Sequence, residues 1–434
     1  MIGQSWHPGR FVRLVKEGSW IVAGQMGTVL GAIFSVRIIT EYLEPLQYGQ
    51  LALGLTISSL GCQVIGGITA GISRFYPLAA AENDLPSFLH SSFRMMMCAT
   101  ILLMAISLML MAGMVSLGFS QWIGLVGAAS IFSVLSCYNA SLSSIQNAAR
   151  QRAIVAFHSG LNAWMKILLA VSIILCFGSS STSVMIGYAL SALLVNVSQL
   201  FFLRRLIRPP SEKIQTLTNW ETQMWAYSWP FAIWSVFTWV QQISDRWVLQ
   251  SFTTTQEVGL YAVVFQLGYV PISLLSSLIS TFISPILFRL SGNATNENSN
   301  ISVHLIVCRI AYFNIFITGL LFAFTYFYHE WIFSLLVAAT YHSASYLLPW
   351  VILAGGLFSA GQTLSLRLMC EMLPASLTLP KISTAILGVG LNIYGASHFG
   401  LRGLVAALVG FSAAYLCWMA CLSRRSYQNN RLYS

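Results

Sequence analysis

Charged residues are scarce in this sequence of 434 residues, where they make up 8% of the chain against 56% for hydrophobic residues. Acidic residues are especially few, with 12 aspartates and glutamates against 22 lysines and arginines. Soluble domains typically carry about 25% charged residues, so the composition excludes an ordinary soluble protein. It predicts an all-α polytopic membrane protein.

Several motifs of enzyme and metal chemistry are missing as well. The sequence has no H-E-x-x-H motif, no Walker loop and no nucleophile elbow, and no two of its eight cysteines form a C-x-x-C pair. We therefore expect buried free thiols, without a disulfide, a metal site or another cofactor. The segments assigned to the outer side are short, so a membrane-embedded enzyme such as a glycan polymerase or ligase is not expected.

What the sequence has in abundance is apolar runs. Windows of about 20 mostly apolar residues are long enough to cross a bilayer as a helix. Twelve such windows occur, at 19–39, 50–72, 95–117, 121–140, 161–178, 184–203, 226–249, 258–285, 303–328, 344–366, 378–396 and 401–422. The sequence thus predicts about 12 transmembrane helices.

The placement of basic residues predicts the orientation, because Lys and Arg collect in short cytoplasmic loops. With the N-terminus inside, 18 of the 22 basic residues fall on the cytoplasmic side, and the exceptions are Arg37, Lys166, Arg246 and Arg402. Both termini are therefore expected to be cytoplasmic. The net charge of +10 follows from this topology, and no nucleic-acid partner is expected.

The chain also contains an internal repeat. After the first span comes "VRIITEYLEPLQYGQLALGL" and after the seventh comes "DRWVLQSFTTTQEVGLYAVVF", with 12 residues from Arg37 to Gly49 and 13 from Arg246 to Gly259. We predict two six-helix halves, 1–203 and 222–434, joined by a basic cytoplasmic linker at 204–221. Because six is even, the repeat is parallel, an architecture that commonly surrounds a central cavity.

These segments resemble a known family. "YGQLAL" (48–53), "SDRWVLQSFTTTQEVGLYAVVFQLGYVPI" (244–272), "YHSASYLLPWVILAGGLFSAGQ" (341–362) and "HFGLRGLVAALVG" (398–410) are similar to segments of the Wzx-type oligosaccharide-lipid (O-antigen) flippases. These form the polysaccharide transporter branch of the multidrug/oligosaccharidyl-lipid/polysaccharide (MOP) exporter superfamily.

The resemblance implies a function and a location. It implies translocation of an O-antigen or exopolysaccharide repeat unit, linked to undecaprenyl pyrophosphate, from the inner to the outer leaflet by alternating access. The implied location is the bacterial cytoplasmic (inner) membrane, crossed many times by the chain. The implied partners are the lipid-linked oligosaccharide, the lipid bilayer and glycan polymerase or ligase machinery.

A carrier of this substrate needs cations for the pyrophosphate. Arginine suits that role, since its planar guanidinium can bind a phosphate through two hydrogen bonds. Arg37 and Arg246 occupy corresponding places in the repeat and are candidates, although snorkelling to the outer interface or structural pairing would also explain them. Lys166, placed two turns into the fifth span, either snorkels to the cytoplasmic surface or faces the cavity.

Two further residues of the seventh span are candidates. Trp239 lies deep in this span and could stack on a sugar ring, whereas Trp220, Trp225 and Trp229 near its inner end fit an interfacial aromatic belt better. Asp245 is expected to pair with another helix or to couple transport to an ion, but not to pair with Arg246, because adjacent residues of a helix point about 100° apart.

A second function class stays open at this level. A cation-coupled drug or metabolite antiporter of the same superfamily would need membrane-buried carboxylates, and Asp245 is the only acidic residue clearly inside a predicted span. The sequence does not choose between protons, sodium and the membrane potential as the driving force.

Overall fold

The computed structural model describes residues 8–204, 219–291, 297–370 and 378–432, and every regular element in these ranges is helical. The α-helices are α1 (Pro8–Tyr42), α2 (Pro45–Ile68), α3 (Gly71–Ala81), α4 (Leu85–Ser116), α5 (Ile123–Ala148), α6 (Arg152–Phe177), α7 (Ser181–Arg204), α8 (Trp220–Phe252), α9 (Thr255–Ser291), α10 (Glu297–Leu336), α11 (Leu348–Cys370) and α12 (Thr378–Leu432). Short 3-10 segments precede α5 and α11, at Ser120–Trp122 and Ala339–Leu347. The predicted all-α class is confirmed.

The number of membrane helices also agrees with the sequence. Ten stretches within the described residues are long and apolar enough to cross a membrane. The last stretch, Leu379–Arg424, covers two predicted spans, because α12 is broken at Gly400, where φ is 56°. The helix α8 is not among the ten, since its tryptophan, glutamine and serine residues make it less apolar. With α8 and both arms of α12 counted, the chain has about twelve membrane helices.

The two arms of α12 approach each other closely beside this break. A Cβ atom on Gly395 would lie 2.4 Å from the carbonyl oxygen of Gly403, and one on Gly403 would lie 2.0 Å from that of Gly395. Only glycine permits backbones to come so near. The segment "GASHFGLRG" therefore forms a tight helical hairpin.

The described chain divides into two compact units. The first unit comprises the chain up to Ser35 together with Gln50–Gln242. The second unit comprises Val36–Gly49 and Ile243–Ser434. The outer end of α1 and the start of α2 thus belong to the second unit, and most of α8 belongs to the first. The repeated halves predicted at 1–203 and 222–434 remain a prediction, and the linker at 204–221 lies mostly outside the described residues.

In the first unit, the start of α8 is fixed by a buried tryptophan. The Nε1 atom of Trp220 donates a hydrogen bond of 2.6 Å to Oδ2 of Asp84, and the ring of Phe88 packs edge-on at 5.7 Å. Only 2% of Trp220 is exposed. Its assignment to an interfacial belt was therefore wrong, because this indole has a buried carboxylate partner, whereas Trp225 and Trp229 are exposed.

In the second unit, the glycines of the sequence repeat meet each other. A Cβ atom on Gly49 would lie 1.9 Å from the Thr255 carbonyl oxygen, and one on Gly259 would lie 1.9 Å from the Pro45 carbonyl oxygen. The starts of α2 and α9 therefore cross at a distance that a side chain would prevent. The repeated glycine motif thus has a packing role in this unit.

Candidate substrate-binding residues

The five predicted site residues are distributed over both units. Lys166 and Trp239 belong to the first unit, and Arg37, Asp245 and Arg246 belong to the second. Each group is described within its own unit.

Lys166 lies near the middle of α6. It follows Arg152 by 14 residues and precedes Phe177 by 11 residues, which corresponds to about 21 Å and about 16 Å along the helix axis. The predicted start of this span at 161 was nine residues late, because Arg152 and His158 interrupt the apolar run. His158 is nevertheless buried, with its ring nitrogens hydrogen-bonded to neighbouring oxygens. A lysine at this depth is too far from either helix end to snorkel.

Aromatic rings surround the ammonium group of Lys166. Its Nζ atom lies 5.0 Å from the centre of the Phe132 ring and 5.8 Å from that of Tyr188. The Tyr188 hydroxyl is hydrogen-bonded to Oγ of Ser35 at 3.3 Å. Among the residues that the structure describes, no acidic side chain forms an ion pair with Lys166. The ring faces attract the cation but leave its charge uncompensated.

Trp239 holds α8 against α2 in the same unit. Its Nε1 atom donates to the carbonyl oxygen of Thr56 at 3.0 Å and lies 3.1 Å from Oγ of Ser59. The indole nitrogen is therefore already used, and only the half-buried ring is left for another contact. Sugar stacking on Trp239 remains a prediction.

In the second unit, the guanidinium of Arg37 is occupied by protein groups. One nitrogen donates to the carbonyl oxygen of Val337 at 2.7 Å, and the other lies 2.6 Å from a carboxylate oxygen of Glu41, one turn along α1. Close by, the hydroxyl of Tyr341 donates to the Leu43 carbonyl oxygen at 2.7 Å. These contacts bind the outer end of α1 to the segment after α10, and we call them the Arg37 latch.

Asp245 is buried, and both of its carboxylate oxygens accept hydrogen bonds. Oδ2 accepts from the Tyr261 hydroxyl at 2.6 Å, and Oδ1 accepts from the backbone N–H of Arg246 at 2.8 Å. As expected from the helix geometry, its side chain forms no ion pair with that of Arg246 in the described part of the chain. The carboxylate is thus satisfied locally, by α9 and by its own helix.

Arg246 differs from Arg37 in what its guanidinium contacts. The guanidinium carbon lies 5.0 Å from the centre of the Phe265 ring. Within the described residues the guanidinium has neither a hydrogen bond nor an ion pair. Its N–H donors are therefore not taken up by described protein groups, and a guanidinium can bind an anion through them.

A sequence comparison now identifies the family. Residues 14–291 match the model of a family described as "Polysaccharide biosynthesis protein", which is more than half of the chain. The chain belongs to this polysaccharide biosynthesis family. A search of curated protein sequences finds no match.

Solved structures show which fold this polysaccharide biosynthesis protein has. The lipid II flippase MurJ in an inward closed conformation matches with a TM-score of 0.71 at 12% identity, over 96% of this chain and 90% of that one. An inward-facing multidrug resistance MATE family transporter of the MOP superfamily matches with a TM-score of 0.65 at 15% identity, over 100% and 97%. A MOP superfamily transporter from Pyrococcus furiosus gives 0.60 at 14% identity, over 96% and 97%. These identities show the fold alone, and it is the predicted MOP fold.

Sequence reasoning missed the aromatic residues beside the charged ones. Tyr261, Phe265 and Tyr269 recur every four residues on α9, a spacing that places them on one face of the helix and could have drawn attention to them. Phe132 and Tyr188 carry no comparable signal, because they reach Lys166 from two different helices. In this polysaccharide biosynthesis protein, ring faces are thus the observed neighbours of both Lys166 and Arg246.

Proposed function

We propose that this protein moves a polyprenyl-pyrophosphate-linked oligosaccharide, an O-antigen or exopolysaccharide repeat unit, from the inner to the outer leaflet of the bacterial cytoplasmic membrane by alternating access. Two findings support the proposal: the match to a polysaccharide biosynthesis family and the fold likeness to a lipid II flippase. Glycan polymerase or ligase machinery would take over the product at the outer face.

The observation that carries the proposal is that Lys166, inside an apolar helix, has no acidic partner among the described residues. A charged side chain at the centre of a membrane helix is costly, about 2.5–3.5 kcal/mol on insertion scales, and most such charges are paired. Lys166 has ring faces around it but no ion pair within the described residues. An anionic headgroup that passes through the membrane would supply the missing negative charge.

The same reasoning separates the two arginines. The guanidinium of Arg37 already binds Val337 and Glu41, so we assign it to the latch, whereas Arg246 has in-plane donors to offer. In this proposal Lys166 and Arg246 bind the pyrophosphate, and Trp239 contributes a ring face to the glycan.

No nucleotide-binding motif is needed to drive such transport. With the cell interior negative, an anion gains about 2.3 kcal/mol per charge per 100 mV when it moves outward. A pyrophosphate carries about two negative charges, so the membrane potential alone could supply several kcal/mol.

The antiporter alternative has less support from this site. It would need a buried carboxylate that is free to bind and release a cation. Asp245 instead accepts two short hydrogen bonds, one of them from a tyrosine hydroxyl, and a carboxylate held in this way favours a structural role.

The test is to follow the sidedness of the lipid-linked glycan. Cells without this protein should accumulate the intermediate on the cytoplasmic face, where a membrane-impermeant glycan-cleaving enzyme reaches it only in inside-out vesicles. Wild-type protein should restore cleavage in right-side-out vesicles, and Lys166→Gln should not. If the intermediate reaches the outer face without the protein, the flippase proposal is wrong and cation-coupled drug export becomes the function to assay.

A further inference from the structure

The ring that supports Arg246 comes from the next helix. Helix α8 ends at Phe252 and α9 begins at Thr255, so the end of α8 and the start of α9 are two short arms joined by a very short turn. Arg246 and Phe265 lie on these two arms, and the guanidinium carbon is 5.0 Å from the ring centre. The contact therefore depends on the packing of the end of α8, from Ile243 onward, against α9 within the second unit.

The Phe265 ring is itself held in place. Tyr269 stacks on it with a centroid distance of 4.6 Å and an angle of 14° between the ring planes, and Tyr261 lies 5.7 Å away. Tyr261 also donates the hydrogen bond to Asp245, the residue before Arg246. The ring and the backbone next to Arg246 are thus fixed by the same face of α9.

This arrangement determines which part of the guanidinium is available. The group is planar, with five N–H donors in its plane and a flat face that stacks on aromatic rings. Phosphate binds the edge of the plane through two parallel hydrogen bonds. A ring that stacks on the flat face therefore orients a guanidinium without using any of the donors that a phosphate requires.

We propose that Phe265 is a positioning residue for the pyrophosphate: it holds the Arg246 guanidinium flat on its ring so that the in-plane donors bind the anionic headgroup. This inference rests on the proposed function, because it assumes that Arg246 binds the pyrophosphate. Phe265 itself does not touch the phosphate in this proposal and acts through Arg246.

The experiment measures binding of farnesyl pyrophosphate to the purified full-length protein in lipid nanodiscs, with farnesol as the probe that lacks the phosphates. Phe265→Leu removes the ring face, Phe265→Tyr keeps it, and Phe411→Leu is the matched control. Phe411 is a half-buried aromatic residue of the same unit whose ring packs on Phe358. Each variant of Phe265 is also made in an Arg246→Gln background.

We expect Phe265→Leu to weaken farnesyl pyrophosphate binding about three- to tenfold, the range that corresponds to one cation–π contact. Phe265→Tyr and Phe411→Leu should stay within about twofold of wild type on the same scale, and farnesol binding should not change in any variant. In the Arg246→Gln background, Phe265→Leu should have no further effect, because the group through which it acts is gone.

The outcomes separate this inference from the proposed function. If Arg246→Gln leaves farnesyl pyrophosphate binding unchanged, the assignment of Arg246 to the substrate is wrong, and the role of Phe265 falls with it. If Arg246→Gln weakens binding but Phe265→Leu does not, only the positioning role is refuted. An equal loss from Phe265→Leu with and without Arg246, or an equal loss from Phe265→Tyr, would show that Phe265 is a packing residue.

Discussion

Replacing Lys166 by methionine should stabilise the protein and abolish its transport. Methionine has a similar unbranched shape and no charge. A lysine near the centre of a membrane helix costs about 2.5–3.5 kcal/mol, and contacts with two ring faces offset about 1–2 kcal/mol of that. Both rings are present around Lys166, at 5.0 and 5.8 Å. We therefore expect Lys166→Met to raise the free energy of unfolding by about 0.5–2.5 kcal/mol.

The two halves of this prediction need separate assays. Stability is measured by thermal unfolding of purified wild-type and variant protein in the same lipid nanodiscs, and transport by the appearance of lipid-linked glycan on the outer face of the membrane. Lys381→Met is the matched control, since Lys381 lies in the first turn of α12. We expect that variant to change neither quantity appreciably.

A gain in stability together with a loss of function is typical of a residue retained for its activity. A structural lysine would behave in the opposite way, because its removal would break contacts that the fold needs. The reasoning is refuted if Lys166→Met lowers the unfolding temperature while outer-face glycan remains at the wild-type level.

The other expectations concern the second unit and one glycine control. Arg37→Gln should lower the free energy of unfolding by about 2 kcal/mol, as expected for a charged hydrogen bond and a partly exposed ion pair. Arg246→Gln should instead leave stability unchanged and reduce glycan export. Thermal unfolding and glycan export, measured for both variants, test this difference. Gly49→Ala should reduce the yield of folded protein, because its Cβ atom would lie 1.9 Å from a backbone oxygen. Gly160→Ala is the control and should not reduce the yield, because no atom lies within 4 Å of its Cβ position. Size-exclusion profiles at equal expression compare the two variants. Asp245→Asn should cost about 1–3 kcal/mol of stability and leave the sodium and proton dependence of export unaltered, and a change in that dependence would restore Asp245 as a coupling residue.

The helices could be predicted from the sequence, and their ends could not. Apolar runs of membrane length are a strong signal, and each of the twelve predicted windows overlaps a helix of the structure. The start of α6 was missed because His158 reads as polar in the sequence but is buried and hydrogen-bonded in the fold. That error of nine residues placed Lys166 near the start of its span and kept snorkelling open, whereas the residue lies near the middle of α6.

The charged candidate residues could be picked out from the sequence, but the aromatic rings next to them could not. A charge within an apolar run is visible in any sequence, so Lys166 and Arg246 could be found. Their neighbours could not, because Phe132 and Tyr188 lie on helices other than that of the lysine. The partner of Arg37 is harder still to find, since Val337 is 300 residues away in the chain and contributes only a backbone carbonyl.

The two arginines of the repeat show how equivalent sequence positions acquire different roles. Each has a carboxylate nearby on its own helix, but the two carboxylates have different hydrogen-bond and ion-pair partners. Glu41, one turn after Arg37, lies 2.6 Å from the guanidinium and neutralises it. Asp245, adjacent to Arg246, gives its oxygens to the Tyr261 hydroxyl and to a backbone N–H. The Tyr261 hydroxyl on α9 thus satisfies Asp245, the one acid next to Arg246, and because Asp245 does not pair with the guanidinium, the guanidinium remains available for an anion from outside the protein.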